Sequence, residues 1–459
     1  MNDLNIYLLK DMPPEVKAVT FAKCSRSPES FSDIARELTA DKSREFHEKW
    51  VVGYGHSSVA EHAVLSIAME NVSILATKII EDNRLASFTE KSTRYQVFNR
   101  DKYYTPENIL KDEEYKHIYT ETQNFLFDTY EKLSEKMIEY MTSKIKHEEG
   151  IPENQYKAMV KSKACDEIRF LLTPATLTNM GMTINARNLE HAITKMLSHP
   201  LTEIQKIGST LKQIGQEEVP TLLKYANANT YISETNKKFN IISKFVLQEC
   251  SNPDETDVSI VEYDKDAEEK LITALLYKYS TLSYTQIKEQ VKNMSFEHKI
   301  KIINEALNQR DQHDQPLREL EHIYYTFDIL IDYGAFRDIQ RHRMVTQTNQ
   351  KLTSDLGFMT PPLIIEAGFE KEFNECIEKA KIAYNKFIEK YPNEAEYLLP
   401  FAFKKRVLMT WNLRELHHFI SLRSGKMGHY SYRKIAQNCY KELEKIHPLL
   451  AKYIRVNLE

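Results

Sequence analysis

The sequence predicts an α+β protein made of two tandem copies of one domain, each a sheet flanked by long helices. Three observations lead there. The chain has 459 residues, too many for one ordinary hydrophobic core. Apolar residues recur at helical spacing over Tyr115 to Ile145, Thr202 to Ala226 and Phe369 to Tyr391, whereas two short β-rich runs, Ala63 to Val72 and Ile323 to Ile331, stand apart. Each β-rich run directly follows a Glu-His pair, Glu61-His62 or Glu321-His322, and that coincidence marks a repeat.

Taken in order, the paired landmarks stay in register. Glu321-His322 lies 260 residues after Glu61-His62, and Arg343 lies 259 after Arg84. Asn412-Leu413-Arg414-Glu415-Leu416-His417-His418 follows Asn185-Ala186-Arg187-Asn188-Leu189-Glu190-His191 by only 227. The first copy therefore holds about 32 extra residues, placed in the charged helical stretch between Asp101 and Cys165. This divides the chain into copy one, residues 1–250 with a helical insertion at about 100–165, and copy two, residues 251–459. Ser251 to Lys270 is acidic and begins without apolar periodicity, so it reads as a linker entering a helix.

Composition narrows the chemistry. Sixty-two Lys and Arg against 66 Asp and Glu leave a net charge of -4, which provides no field for holding a nucleic acid. Aromatic and basic residues do not interleave as a single-strand binder requires. The five cysteines (Cys24, Cys165, Cys250, Cys376, Cys439) lie far apart and form no disulfide framework or zinc knuckle, which suits reduced thiols in the cytoplasm. His56 and His62 are six residues apart, wrong for a metal pair on one helix face, so no metal is expected. The N-terminus, acidic at position 3 and broken by Pro13-Pro14, is unlike a secretory signal. No apolar run approaches the roughly 18 residues of a membrane span. None of the 11 glycines forms GxGxxG or GxxxxGK, and no GxSxG elbow occurs. Any phosphorylated cofactor must therefore be held by side chains.

Two segments have the residue types for that work. Arg341-His342-Arg343 sets three potentially cationic side chains together, and guanidiniums grip phosphate oxygens in bidentate fashion. Alone, this would be a solvated basic helix face. In Ala86 to Tyr95 (ASFTEKSTRY) hydroxyls alternate with a carboxylate and an arginine, a polar loop suited to a phosphate or sugar. Alone, it would be a turn with an N-cap serine. Arg169, Arg187, Arg414 and Arg423, each read singly as an ion-pair residue, gain weight because they fall at matched places in two copies.

Combined, these segments resemble the flavin-dependent thymidylate synthases, whose signature runs R-H-R-x-x-S-x-N-E-x-S-x-R-Y behind a G-H-x-S/T-x-x-E-H segment. Copy two supplies Arg341-His342-Arg343, and copy one supplies Ser87, Glu90, Ser92, Arg94 and Tyr95. Asp82-Asn83-Arg84 stands where copy one should have Arg-His-Arg; Lys351 and Thr353 stand where copy two should have the signature serine and arginine. Upstream, Gly55-His56-Ser57-Ser58 with Glu61-His62 matches in copy one, while copy two keeps only Glu321-His322 behind Pro316 to Leu320. Both copies keep the family's Asn-x-Arg, as Asn185 with Arg187 and Asn412 with Arg414. Arg169 is answered in copy two by Glu396, and Arg423 in copy one by Met196. The chief departures are Asp338, for a glutamine three residues before Arg-His-Arg, and Thr89, for the signature asparagine.

The resemblance implies reductive methylation of dUMP to dTMP, with methylene from methylenetetrahydrofolate and hydride from reduced FAD, itself reduced by NADPH. It needs no cysteine nucleophile. His56, Ser58, Glu61, Glu90, Arg341, His342 and Arg343 are then the expected FAD contacts, with Asn185, Arg187, Asn412 and Arg414 beside them. Ser92, Arg94 and Arg169 are expected on the dUMP phosphate and sugar, and Arg423 on the uracil; Arg423, Arg341 and Ser92 form the expected catalytic set. Family members are homotetramers with sites between subunits. Complementary losses in two copies thus imply a homodimer of tandem chains, a pseudo-tetramer with two live composite sites and two vestigial ones. Two other readings stay open: a non-catalytic flavin- or nucleotide-binding duplicate, and flavin- and folate-dependent modification of another pyrimidine nucleotide, which Asp338 permits.

Overall fold

The computed structural model describes residues 5–38, 40–47, 57–250 and 253–459. Copy one forms an antiparallel sheet of β1 (Val64–Ser73), β2 (Ala86–Glu90) and β3 (Leu177–Asn185) in the order β1-β3-β2. Copy two repeats it with β5 (Tyr324–Asp332), β6 (Val345–Asn349) and β7 (Lys404–Asn412), and adds β4 (Val258–Tyr263) at the edge, giving β4-β5-β7-β6. The registers coincide: Val64 faces Asn185 as Tyr324 faces Asn412. Even a cross-strand hydroxyl pair recurs, Ser66 with Thr183 at 3.2 Å and Thr326 with Thr410 at 2.8 Å. β4 corrects the expectation that Ser251 to Lys270 leads straight into a helix. Its Val-Ser-Ile-Val run extends the edge of β5 and buries Val258, a strand signal masked by the acidic residues around it.

The helices needed below are α1 (Ile74–Ile80), α2 (Glu113–Lys144), α3 (Glu153–Ile168), α4 (Ala186–Leu197), α5 (Thr202–Glu218), α6 (Thr230–Val246), α7 (Tyr333–Ile339), α8 (Glu370–Lys390), α9 (Leu413–Arg423) and α10 (Tyr430–Ile446). α1 and α7 leave the ends of β1 and β5 through matching caps: Ser73 Oγ accepts from Ala76 N at 3.0 Å, and Asp332 Oδ1 from Ala335 N at 2.6 Å. α5 stops at Glu218, short of the expected Ala226, because Pro220 disfavours helical geometry at Val219. α2 has 32 residues where α8 has 21, and α8 is followed directly by a 3-10 turn, Ala395–Leu398, with no helix like α3 between. No described helix is long and apolar enough to cross a membrane.

One apolar core runs through both copies. α2 packs on α8, with the Tyr115 ring edge-on to Phe387 and Tyr391 at 5.1 and 5.0 Å. The main chains also join, Phe401 N donating to Leu172 O at 2.9 Å and Ala402 N to Phe170 O at 3.2 Å. Gly334, at the start of α7, lies so close to Phe170 that a Cβ there would sit 2.7 Å from Cε1 of the ring. The contact fixes α7 of copy two against the 3-10 turn Arg169–Leu171 of copy one. That brings the two half-motifs together.

Candidate functional site

β2 ends at Glu90, whose carboxylate is buried between the copies. Arg337 Nη2 donates to its Oε1 at 2.8 Å; Arg341 Nη2 and Lys78 Nζ reach its Oε2 at 2.9 and 3.1 Å. Lys78 also pairs with Glu81, which lies 3.4 Å from Arg341. Burial by itself would raise the Glu90 pKa, but Arg337, Lys78 and Arg341 overcome it and hold the carboxyl at about 2. Arg337 and Lys78 are counterparts in the repeat, whereas the counterpart of Glu90 is Asn349. The expectation of a polar loop over Ala86 to Tyr95 is corrected here: Ala86–Glu90 is a strand, and only the residues after it turn. Its alternation of small hydroxyls with apolar side chains is the period of a pleated edge.

Beyond Glu90 the turn opens on a small pocket, about 70 Å³, lined by Ser92, Arg94, Arg169, Arg337, Asp338 and Arg341. That holds a few waters or one phosphate group, not a whole nucleotide. Arg94 grips Asp166 of α3 with two hydrogen bonds, Nε to Oδ1 at 3.0 Å and Nη2 to Oδ2 at 2.8 Å. Ser92 Oγ accepts from Arg94 N at 3.2 Å. Arg169 is buried, 3.2 Å from Asp166 and 3.5 Å from Asp338, yet its Nε and Nη2 and the Asp338 Oδ2 find no hydrogen-bond partner in the protein. Lys78, Lys91, Arg94, Arg169, Arg337, Arg341 and the nearby Arg423 face Glu81, Glu90, Asp166 and Asp338, an excess of three positive charges. Neighbouring Glu167, pushed up to about 8 by burial, adds little charge at pH 7. Orphaned guanidinium donors and a net positive charge fit a phosphate monoester, which carries roughly -1.5 to -2.

Arg423, at the C-terminus of α9, is held from behind. Its Nε donates to His342 Nε2 at 3.0 Å, so His342 must carry its proton on Nδ1 and donate it to Glu415 Oε1 at 2.7 Å. Burial lowers the His342 pKa and keeps the ring neutral, against the pull of Glu415. Arg423 also donates to the Asp338 carbonyl and lies over the Tyr432 ring at 5.5 Å. His342 is thus a positioning residue for Arg423, itself half-buried.

A second cavity, about 360 Å³, lies where Asp82-Asn83-Arg84 of copy one faces Gln340, His342 and Arg343 of copy two, with Asn188, His191 and Lys195 of α4 along one side. Arg343 Nη1 donates to Ala86 O at 2.8 Å, whereas exposed Arg84 makes no ion pair among the described residues. Oε1 of Gln340 and of Gln347 is buried here without a partner. Two guanidiniums and an ammonium against Glu81 and Asp82 suit an anionic diphosphate.

The remaining expected residues stand elsewhere. Ser58 is exposed on the 3-10 turn Ser57–His62, Glu61 pairs with Arg187, and Asn185 caps α4 by accepting from Asn188 N at 2.9 Å. In copy two Arg414 pairs with Glu321 at 2.8 Å, and Asn412 caps α9 by accepting from Glu415 N at 2.9 Å. Asn412 and Arg423 bracket α9, roughly 16 Å apart along its axis. His56 lies outside the described residues, and Tyr95 is exposed. Sequence reasoning missed Arg337, Asp166, Glu415 and Tyr432. Arg337 was readable from its i,i+4 spacing to Arg341 and Asp166 from i,i+3 to Arg169; Glu415 and Tyr432 carry no local signal. Among the described residues no cluster of three or more His, Cys, Asp or Glu could hold a metal.

Residues 7–221 and 259–449 match the Thy1 family, described as thymidylate synthase complementing protein. The chain belongs to the Thy1 family. Relatives matched along most of both chains include a UPF0159 protein of Chlamydia pneumoniae, 31% identical over 98% of this chain and 91% of its own. Another, from Thermoplasma acidophilum, is 30% identical over 93% and 92%. A flavin-dependent thymidylate synthase of Clostridium tetani is 26% identical over 49% of this chain but 86% of its own, which is one copy's worth. A crystal structure of the Helicobacter pylori enzyme of that name, complexed with FAD and dUMP, aligns with 44% of the chain at 18% identity and a TM-score of 0.34. Thy1 membership and the repeated strand registers agree on a tandem form of one α+β unit.

Proposed function

We propose that this Thy1 protein is a flavin-dependent thymidylate synthase that methylates dUMP to dTMP at a composite site drawn from both copies. One observation carries the reading. Arg341 and Glu90, each surviving in only one copy, lie 2.9 Å apart on the edge of a pocket whose orphaned donors suit a phosphate. Arg94, Arg169 and Ser92 bind the dUMP phosphate and sugar, while the Glu415–His342 pair aims Arg423 at the uracil. The guanidinium then stabilises negative charge developing on the pyrimidine, an effect whose removal typically costs about 2.7–4 kcal/mol of barrier. Arg343 and Arg84 hold the FAD diphosphate in the neighbouring cavity, with Arg341 and His342 beside it. Bound FAD, once reduced by NADPH, supplies hydride, and methylenetetrahydrofolate supplies the methylene. This reading needs no thiol nucleophile, and burial pushes Cys165 and Cys376 up to about 11.

Ser58, Glu61 with Arg187, Asn185, and Asn412 with Arg414 stand apart from the pocket within one chain. They act in this reading through a second chain, in a homodimer with two live sites and the division between copies near residue 250. Asp338 favours one further reading, because a pocket carboxylate oxygen left without a hydrogen bond suits a pyrimidine bearing an extra donor. Anaerobic oxidation of the reduced holoprotein by dUMP plus methylenetetrahydrofolate, with products identified, is the test. dTMP is the expected product; bound flavin without dTMP overturns the substrate, and a protein that ignores added FAD overturns the enzyme.

A further inference from the structure

The repeat generates a second place equivalent to the phosphate pocket, and it has changed rather than closed. Lys78 and Asp82 stand for Arg337 and Arg341, Asn349 and Lys351 for Glu90 and Ser92, and Glu396 for Arg169. These residues line a cavity of about 490 Å³ between the copies, of the size that encloses a whole small molecule. Its counterpart holds about 70 Å³.

The floor of this cavity carries a cation held by no carboxylate contact among the described residues. Lys405, on β7, is 6% exposed and lies over the rings of Phe336 at 4.3 Å and Tyr333 at 5.8 Å. Among the described residues it makes no hydrogen bond or ion pair; its copy-one counterpart is Thr178. Burial pushes its pKa down to about 8, with Glu396 pulling it back, so it is still mostly protonated at pH 7. A buried ammonium without a hydrogen-bonded counter-ion is costly. Tyr333 Oη, 1% exposed, is likewise without a partner. Neither nearby acid hydrogen-bonds Lys405: Asp82 is taken by Lys195 at 3.3 Å, and Glu396, which acts on it only from a distance, accepts from Leu352 N at 3.0 Å. Lys351 adds a second ammonium at the rim, held among the described residues by the Asn393 amide oxygen at 2.8 Å. His199, kept neutral by burial, accepts from Leu201 N on Nδ1 and so presents an Nε2 donor.

We propose that this degenerate half-site binds a phosphorylated small molecule of nucleotide size without transforming it, the phosphate on Lys405 and Lys351 and the body on the aromatic wall. The inference rests on the cavity and its orphaned groups, not on the catalytic reading. Calorimetric titration of the full chain with dTMP, and separately with inorganic phosphate, tests it. The wild type should take up two dTMP per chain, and Lys405→Met should weaken one of the two about tenfold or more, the usual worth of a charge-assisted hydrogen bond. Lys351→Ala, at an exposed position that leaves folding alone, should weaken the same one several-fold. Arg94→Ala should weaken the other. Weaker inorganic phosphate uptake with the same Lys405 dependence identifies the phosphate as the recognised group. A single dTMP lost in Arg94→Ala and indifferent to both lysines sinks this proposal and leaves the proposed function standing. A single dTMP lost in the lysine variants but indifferent to Arg94→Ala does the reverse.

Discussion

Replacing Glu90 by Gln removes the one negative charge on which Lys78 of copy one and Arg337 and Arg341 of copy two converge, while keeping the side chain's shape. The size of the effect follows from the carboxyl's titration. A group that titrates at 4.5 when unfolded and at about 2 when folded gains roughly 3 kcal/mol of stability from being ionised at neutral pH. That agrees with the roughly 3–5 kcal/mol seen when one partner of a buried ion pair is deleted. Because the folded value is the lower one, this stability is complete above about pH 4.5 and fades as pH falls toward 2. Urea unfolding followed by fluorescence of buried Trp411 at pH 7, pH 5.5 and pH 3 measures the difference between Glu90→Gln and wild type. The deficit should be about 3 kcal/mol at the first two and about half that at pH 3. A deficit under about 1 kcal/mol at pH 7, or one that stays constant down to pH 3, would show that Glu90 does not join the copies electrostatically.

Three further changes probe separate parts of the argument. Arg423→Ala should retain flavin yet lose about 10²–10³ in turnover; unchanged turnover removes Arg423 from the chemistry. Arg343→Ala should loosen FAD about tenfold or more, read as the 450 nm absorbance left after dialysis; full retention would place the diphosphate elsewhere. Gly334→Ala drives a Cβ into the Phe170 ring at the junction of the copies and should cost about 1–3 kcal/mol, read as a lowered unfolding midpoint. A neutral result would mean that the junction yields easily.

The duplication, the strands after each Glu-His pair and the split signature were legible in the sequence, because each is a local pattern that recurs. Strand β4 was not, since six residues between acidic flanks give too short a pattern to outweigh them. Which residues of the signature meet was also not legible. Glu90, Ser92 and Arg94 approach Arg337 and Arg341 only because α7 and the turn at Arg169 press together across the Gly334–Phe170 contact. The fates of Asn185 and Asn412 as helix caps, and of Glu61 and Glu321 as ion-pair partners of Arg187 and Arg414, likewise follow from packing. Sequence determined which chemical groups each copy kept, since side-chain identity and local period are properties of a short segment. Tertiary structure alone decided that one union of the copies became a tight, net-positive pocket and the other a wide cavity over buried Lys405, since charge balance and volume are sums over residues far apart in the chain.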